Sequence, residues 1–297
     1  MKNCNFKFLI ICLLNAVLFT SVHAQENSNS ILWEITGNGL AKSSYLFGIV
    51  NFMPEHEFQV SESVKAALGK CKVFVTKTPI NRSSRNEFSR AVRIPNDGWI
   101  NDYLTDDELN QLRLLMLKDL EVSENDYHFT YSRLQPVILV TATTLLSLGE
   151  NVVFVEDVLA KAAKKKRLKF ISLNTIEEEI TAFEDFPIVD QVEALKYTVN
   201  NFSEHLSDYN QLVRNYRDDQ NLELIHEEIL KATNRSEKFQ HTYYHERNKD
   251  WSQKIKEMMS EHPAFIAVGA AHLYGEEGLV HLLQEEGYTL KPAKAFD

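Results

Sequence analysis

Cysteine is scarce in this sequence of 297 residues, and its placement excludes a disulfide framework. Two of the three cysteines, Cys4 and Cys12, fall in an amino-terminal segment that we expect to be removed, which leaves Cys71 alone. A single cysteine cannot form an internal disulfide bond, so the stability of the fold must come from a packed core. Apolar residues make up 44% of the sequence, which is enough for a large core in one domain.

A hydrophobic run long enough to span a membrane is also missing. The apolar stretch from Phe8 to Phe19 is shorter than the roughly 20 residues that a spanning helix needs, which disfavours an uncleaved anchor. Two lysines precede this stretch, and a small-residue pattern ending at Ala24 follows it, as is typical of a secretory signal peptide. We predict cleavage after Ala24 and export of residues 25–297 to the periplasm or the extracellular space, without a transmembrane segment.

Positive charge is in deficit, and two common site motifs are absent. The formal net charge is −10, and loss of the two lysines of residues 1–24 gives −10 − 2 = −12. Nucleic-acid binding needs a basic surface, so we expect no nucleic-acid partner. The sequence contains neither Gly-x-Ser-x-Gly nor a glycine-rich phosphate loop, which excludes a serine hydrolase of that type and a phosphate-loop nucleotide binder.

Strand-like patterns lie near both ends of the mature chain, and helical patterns fill most of the part between them. Apolar runs typical of strands occupy 31–36, 45–50, 72–76, 170–173 and 264–268, and a last strand begins at Tyr288. Helices are predicted at 60–68, 105–117 and 136–148, and almost throughout 187–259. The sequence therefore predicts an α/β fold whose central sheet comes from the amino- and carboxyl-terminal parts, with a mostly helical insertion over about residues 100–260.

Two local predictions can be tested directly by a structure. The polar segment 81–97 is interpreted as a surface connection, because it carries four arginines and few apolar residues. Asn174 is predicted to cap a helix that contains Glu177 to Glu179.

His272 stands in the clearest strand, loop and helix context of the chain. The apolar run 264–268 ends at Gly269, two alanines follow, and a helical pattern begins at Glu276. His272 is therefore expected at the carboxyl end of a strand, where open α/β sheets place their sites. A lone histidine after a strand is nevertheless more often structural than a ligand.

A second pair of histidines has a spacing that could bind a metal. His241 and His245 stand four residues apart in a predicted helix, with Glu246 beside the second. The zincin pattern requires a glutamate directly after the first histidine, where Thr242 stands instead. Unrelated surface histidines are the simpler interpretation.

Three segments together resemble the TraB/GumN family, whose relatives include the Tiki metalloproteases. They read ILWEITGNGLAKSSYLFGIVN, YYHERNKDW and FIAVGAAHLYGEEGLVHLLQEEGYTLKP, and they span almost the whole mature chain. The resemblance implies two Gly-x-x-His motifs, each after a strand, and a glutamate after an early strand, which together hold a divalent metal for peptide hydrolysis. Gly269 and His272 match the second motif, and Arg247-Asn248 matches the family's Arg-Asn-x-x-Trp element.

The sequence departs from the family pattern at two of the implied ligands. The first motif begins at Gly48 but has Asn51 where the family has histidine, and the glutamate position falls on Lys77 or, with an offset of one, on Thr76. An amide is a poorer ligand for zinc or manganese than an imidazole. The resemblance thus implies a site built around Asn51, Lys77 and His272, with Gly48 and Gly269 forming matching turns and at most a weakly bound ion at His272.

Three classes of function remain open from the sequence. The first is a catalytically degenerate, exported binding or scaffold protein that recognises a peptide or protein. The second is an active metal-dependent peptidase that recruits substitute ligands from Glu55, His56 and Glu57. The third is a different chemistry on the same scaffold.

Overall fold

A computed structural model describes residues 29–296, so the predicted signal peptide of residues 1–24 lies outside the described part. Six strands form a central sheet in the order β6-β4-β7-β2-β1-β8, and β3 pairs with β5 in a small second sheet. The strands are β1 (Leu32–Gly37), β2 (Ser44–Ile49), β3 (Phe52–Pro54), β4 (Val73–Thr76), β5 (Val152–Phe154), β6 (Lys169–Ser172), β7 (Ala264–Gly269) and β8 (Tyr288–Ala293).

The central sheet is mixed and brings the two ends of the described chain together. β1 and β2 pair antiparallel as a hairpin, with Leu32 opposite Phe47. β8 pairs antiparallel with the other side of β1, while β2, β7, β4 and β6 are parallel neighbours. Five of the six strands come from the amino- and carboxyl-terminal parts, so the predicted fold class is confirmed. The sixth, β6, comes from within the predicted insertion and occupies one edge.

The helices are α1 (Glu62–Lys70), α2 (Arg82–Ala91), α3 (Asp106–Leu114), α4 (Glu124–Phe129), α5 (Pro136–Ser147), α6 (Val155–Lys165), α7 (Ile176–Glu184), α8 (Ile188–Asn200), α9 (Phe202–Arg214), α10 (Leu222–Leu230), α11 (Glu237–Gln240), α12 (Arg247–Glu261) and α13 (Leu279–Glu285). Three π-helical turns extend this set, at Leu115–Asp119, Asn215–Asp219 and His241–Glu246. The third turn leads directly into α12. None of the helices described is long and apolar enough to cross a membrane.

Three local predictions need correction. The segment 81–97 is not only a connection, because α2 forms there with the Asn81 side chain accepting from Ser84 N. The cap of α7 is Thr175 rather than Asn174, whose side chain instead accepts a hydrogen bond from Trp251. The helix after His272 begins at Leu279 rather than Glu276, with Gly278 as its cap residue.

Two groups of buried apolar residues stabilise the described part of the chain. The larger group surrounds the central sheet and includes Phe47, Phe74 and Phe265, all fully buried. The smaller group, which we call the second core, packs helices of the insertion around Leu112 and Met116. The sheet that positions the site thus has its own core, separate from that of α3, α5 and α8.

Candidate functional site

Three adjacent parallel strands deliver the three predicted site residues to one edge of the sheet. β7 lies between β2 and β4, with Gly269 opposite Ile49 of β2 and Ile266 opposite Val75 of β4. Asn51, Lys77 and His272 follow the carboxyl ends of these strands. The carboxyl ends of the three strands are therefore neighbours, at the edge where such sheets place their sites.

The two glycines of the family motifs have different structural roles. Gly48 lies within β2 and is not a turn residue, so the prediction of matching turns is wrong for it. A Cβ at Gly48 would lie 3.1 Å from Ala270 Cα and from Leu273 Cδ2, which is closer than packed side chains normally approach. Gly269 ends β7 with a φ of −54°, and a Cβ there would meet only His272 Cδ2 at 3.5 Å. Gly48 is needed for close packing against the turn that carries His272.

His272 is buried and is held in one tautomer by Asn248. The Asn248 Nδ2 group donates to His272 O at 3.2 Å and to Glu277 O at 2.8 Å. The nitrogen of the side-chain amide therefore faces these two main-chain oxygens. Asn248 Oδ1 therefore faces His272 Nδ1 at 2.8 Å and accepts its hydrogen. The lone pair of the neutral imidazole is left on Nε2.

Aromatic rings pack around His272, and its burial keeps it uncharged. Its ring centroid lies 4.5 Å from that of Trp251 and 5.0 Å from that of Tyr244. Burial, and then the positive charges of Arg247 and Lys77, hold the pKa of His272 well below its ordinary value of 6.5. His272 is a neutral imidazole at physiological pH.

Glu179 of α7 links the two cations of the site. Its Oε1 accepts from Lys77 Nζ at 2.6 Å, and its Oε2 accepts from Arg247 Nη2 at 2.5 Å. Tyr243 adds a third hydrogen bond, from its hydroxyl to Oε1 at 3.0 Å. The Glu179 side chain is only 4% exposed, whereas that of Lys77 is 32% exposed. The carboxylate is thus satisfied on both oxygens, and the network is open to solvent at Lys77.

Glu179 and its cationic partners each shift the other's pKa in the direction that favours the charged form. Burial alone would raise the pKa of Glu179, but Lys77 and Arg247 hold it below its ordinary value. Burial alone would lower the pKa of Lys77, but Tyr243 and Glu179 raise it. The two cations and one carboxylate of this hydrogen-bonded network sum to a net charge of +1.

Arg247 carries two donor groups that the network does not use. Its Nε and Nη1 atoms are buried and have no hydrogen-bond partner in residues 29–296. The guanidinium carbon lies 4.5 Å from the ring centroid of Tyr243 and 4.8 Å from that of Trp251. These aromatic faces compensate partly for the missing partners, because a cation is attracted to a ring face.

Lys77 rather than Thr76 contacts the rest of the site. Thr76 is the last residue of β4, is buried, and donates its hydroxyl hydrogen to Thr78 O at 2.8 Å. Lys77 therefore places an ammonium in the network, as the sequence suggested. The sequence did not suggest that a carboxylate would neutralise it.

Sequence reasoning missed Glu179, although its position in α7 contains a signal. Glu179 lies three residues after the buried Ile176 and on the same helical face, whereas Glu177 and Glu178 are exposed. A charge on an apolar helical face points to a buried partner.

Asn51 and the proposed substitute ligand Glu57 have partners other than His272. Asn51 is exposed, and its main-chain oxygen accepts from Val155 N at 3.2 Å. The segment Glu55–Glu57 forms a single 3₁₀ turn with no buried residue. Glu57 forms an ion pair with Arg217, and no hydrogen bond joins Asn51 or this segment to His272 within the described residues.

The residues around His272 do not fit the metal that the family resemblance implies. A catalytic site of one ion needs about three protein ligands and an open position. In residues 29–296, His272 belongs to no group of three histidine, cysteine or acidic side chains whose ligand atoms lie within 4.8 Å of one another. The nearby carboxylate of Glu179 is occupied by Lys77 and Arg247.

A different group in the described chain could hold an ion. His241, His245 and Glu277 bring one potential ligand atom each within 4.8 Å of the others. The sequence singled out the two histidines by their spacing, but it gave no sign that Glu277 would join them.

Comparison with known proteins supports the resemblance noted in the sequence. A search of curated proteins finds no match to this chain. A sequence model of the TraB/PrgY/gumN family matches residues 31–292, a range that contains all of the strands described above except the last residue of β8. This match covers nearly the whole chain. The protein belongs to the TraB/PrgY/gumN family.

Proposed function

We propose that this protein is an exported, catalytically degenerate member of its family that binds a peptide or protein segment beside His272 without a metal ion. Export rests on the signal-like sequence that ends at Ala24. Mass spectrometry of the secreted or periplasmic protein should give a chain that begins at Gln25. Recovery of a mature protein that still begins at Met1 would contradict the export part of the proposal.

The network of Lys77, Glu179 and Arg247 is the observation that carries the proposal. A divalent ion next to His272 would need a free carboxylate, and both oxygens of Glu179 are already bonded to cations. Bringing an ion to this carboxylate would release two cations into a partly desolvated site, where like charges repel strongly. The arrangement supports a site that keeps the family scaffold but no longer uses the family's metal.

The charge of the network favours a ligand that carries a carboxylate. Lys77 and Arg247 exceed Glu179 by one positive charge, and Lys77 is accessible from solvent. Lysine and arginine donate charge-assisted hydrogen bonds to carboxylates, which are stronger than bonds between neutral groups. A free chain terminus or an acidic side chain of a peptide would supply such a group.

The binding test uses two fluorescent random peptide libraries that differ only in a free or an amidated carboxyl terminus. In the presence of a chelator, anisotropy should show tighter binding of the free-carboxyl library, because an amide cannot pair with Lys77. Lys77→Met should remove this preference, while Lys254→Met, a change of a similarly half-buried lysine on α12, should not. Absence of binding by either library would contradict the proposal.

An active peptidase that uses His272 is the alternative. The neutral imidazole with its lone pair on Nε2 is the observation that favours it, since a metal ligand must be unprotonated. Digestion of an unfolded protein substrate with added zinc or manganese tests it. Hydrolysis that disappears in His272→Ala would establish the peptidase and overturn the degenerate assignment.

A further inference from the structure

His241, His245 and Glu277 form a compact cluster outside the family positions. The two histidines lie on the π-helical turn His241–Glu246, and Glu277 lies in the loop between His272 and α13. The histidine ring centroids are 5.5 Å apart. Among the residues described, this is the one group of three potential metal ligands whose donor atoms lie within 4.8 Å of one another.

The backbone around the cluster is held in place by the site already described. Asn248, in the first turn of α12, donates to the main-chain oxygen of Glu277 at 2.8 Å. This bond fixes the loop of Glu277 against the start of α12, directly after the turn that carries both histidines. The three side chains are therefore presented by two segments that are already joined.

The side chains are arranged as metal ligands would be before an ion enters. His245 Nδ1 lies 2.5 Å from Glu277 Oε2, yet it is buried and makes no hydrogen bond of acceptable geometry. Lys249 Nζ holds the other carboxylate oxygen, Oε1, at 3.2 Å. Burial alone would raise the pKa of Glu277, but the hydrogen bond from Lys249 holds it below its ordinary value. Glu277 Oε1 is thus oriented by Lys249, and Glu277 Oε2 faces His245 Nδ1, which has no hydrogen-bond partner.

We propose that His241, His245 and Glu277 bind one divalent transition-metal ion of the zinc type, with a fourth position open to water. Two imidazoles and a carboxylate are a common zinc donor set, whereas magnesium and calcium prefer oxygen ligands alone.

The ligand atoms of His245 and Glu277 lie closer together than a bound ion allows, and no pair among the three ligand atoms is more than 4.8 Å apart. Tetrahedral bonds of normal zinc lengths would separate adjacent ligand atoms by about 3.3 Å. The side chain of Glu277 must therefore withdraw its Oε2 from His245 by somewhat less than about 1 Å. Its side chain is 36% exposed, which leaves it room to move.

The ion would connect the turn before Arg247 and Asn248 to the loop after His272. Its ligands include none of the family-equivalent positions, namely Asn51, Lys77 and His272. The inference therefore does not depend on whether the site at His272 binds a peptide or has lost its metal.

The test is a calorimetric zinc titration of the purified full-length mature protein after chelator treatment and dialysis. The unmodified protein should bind one ion. His241→Ala and Glu277→Gln should each weaken the affinity at least about tenfold. His241 is 54% exposed, so its replacement should leave the fold intact, which circular dichroism can verify. Cobalt substitution should give the absorption bands of a tetrahedral ion, and these bands should be lost in His241→Ala.

Two control variants separate this site from the rest of the surface and from His272. His281→Ala removes another exposed histidine, on α13, and should leave zinc binding unchanged. His272→Ala should also leave it unchanged. The inference would be overturned if the unmodified protein failed to bind zinc stoichiometrically. It would also be overturned if His241→Ala and His281→Ala lost zinc affinity equally. Loss of the ion in His272→Ala alone would overturn it too, and would also contradict the metal-free assignment of the His272 site.

Discussion

At the scale of single residues, Glu179 supplies the counter-charge for both Lys77 and Arg247. Glu179→Gln keeps the shape of the side chain but leaves Lys77 and Arg247 without a counter-charge. Removing one partner of a buried ion pair costs about 3 kcal/mol of the free energy of unfolding. Urea unfolding should show this loss, whereas Asp250→Asn, which breaks an exposed pair with Lys254, should change stability by less than about 1 kcal/mol. Equal effects of the two changes would contradict the central role of Glu179.

His272 gives the protein a pH dependence whose sign follows from its lowered pKa. The folded state keeps His272 neutral, while the unfolded chain takes up a proton below about pH 6.5. The unfolded state then binds more protons, so stability falls as the pH drops below about 6.5, by up to about 1.4 kcal/mol per pH unit for this histidine. His205 and His226 also have lowered pKa values and act in the same direction.

Replacing His272 measures how much this one residue contributes to the pH dependence of stability. The free energy of unfolding of the wild type and of His272→Gln should be measured in urea between pH 7.5 and 5.5. The variant should lose less stability on acidification, because one of the three histidines with a lowered pKa no longer titrates. Identical slopes would mean that His272 is not held neutral by the fold.

At the scale of elements, the packing of β2 against the turn of His272 depends on Gly48. Gly48→Ala would place a methyl group 3.1 Å from the Ala270 backbone, so either β2 or the turn must shift. We expect a loss of about 1–3 kcal/mol in the free energy of unfolding. Gly269→Ala is the matched control, since its methyl group would make an ordinary contact at 3.5 Å with His272. A loss of the same size in both variants would contradict the close-approach role of Gly48.

Elements with strong local patterns could be predicted from the sequence. The hairpin of β1 and β2, the buried strand β7 and the capping box of α3 follow from alternation, an apolar run and Thr105 with Glu108. Helix α2 was missed because its sequence is almost entirely polar, and the pairing of β3 with β5 was missed because each strand has only three residues.

The ion network could not be predicted in the same way. Lys77 and Glu179 are separated by 102 positions, and Arg247 lies 68 positions beyond Glu179. Periodicity shows that Glu179 faces a core, but it does not say which cation it meets there. Family resemblance identified Lys77, Arg247 and His272, while the partner that neutralises Lys77 needed the three-dimensional structure.

At the scale of the whole molecule, two cores should respond separately to substitution. Met116 is fully buried in the second core, and Met116→Ala should cost about 2–5 kcal/mol. Hydrogen exchange should accelerate mainly around α3, α5 and α8, because local opening follows the core that is weakened. Leu68→Ala, in the core around the sheet, should instead affect β4 and β7. Uniform acceleration over residues 29–296 in both variants would contradict the division into two cores.

The central claim is that the His272 site keeps the family scaffold without holding the family's metal. A calorimetric titration with manganese and zinc tests it most directly in a His241→Ala background, which removes the separate cluster at Glu277. We predict no binding that depends on His272 in that background, little gain from Asn51→His alone, and tight binding of one ion when Asn51→His is combined with Lys77→Glu. Tight, stoichiometric binding by the His241→Ala protein itself, abolished by adding His272→Ala, would contradict the claim.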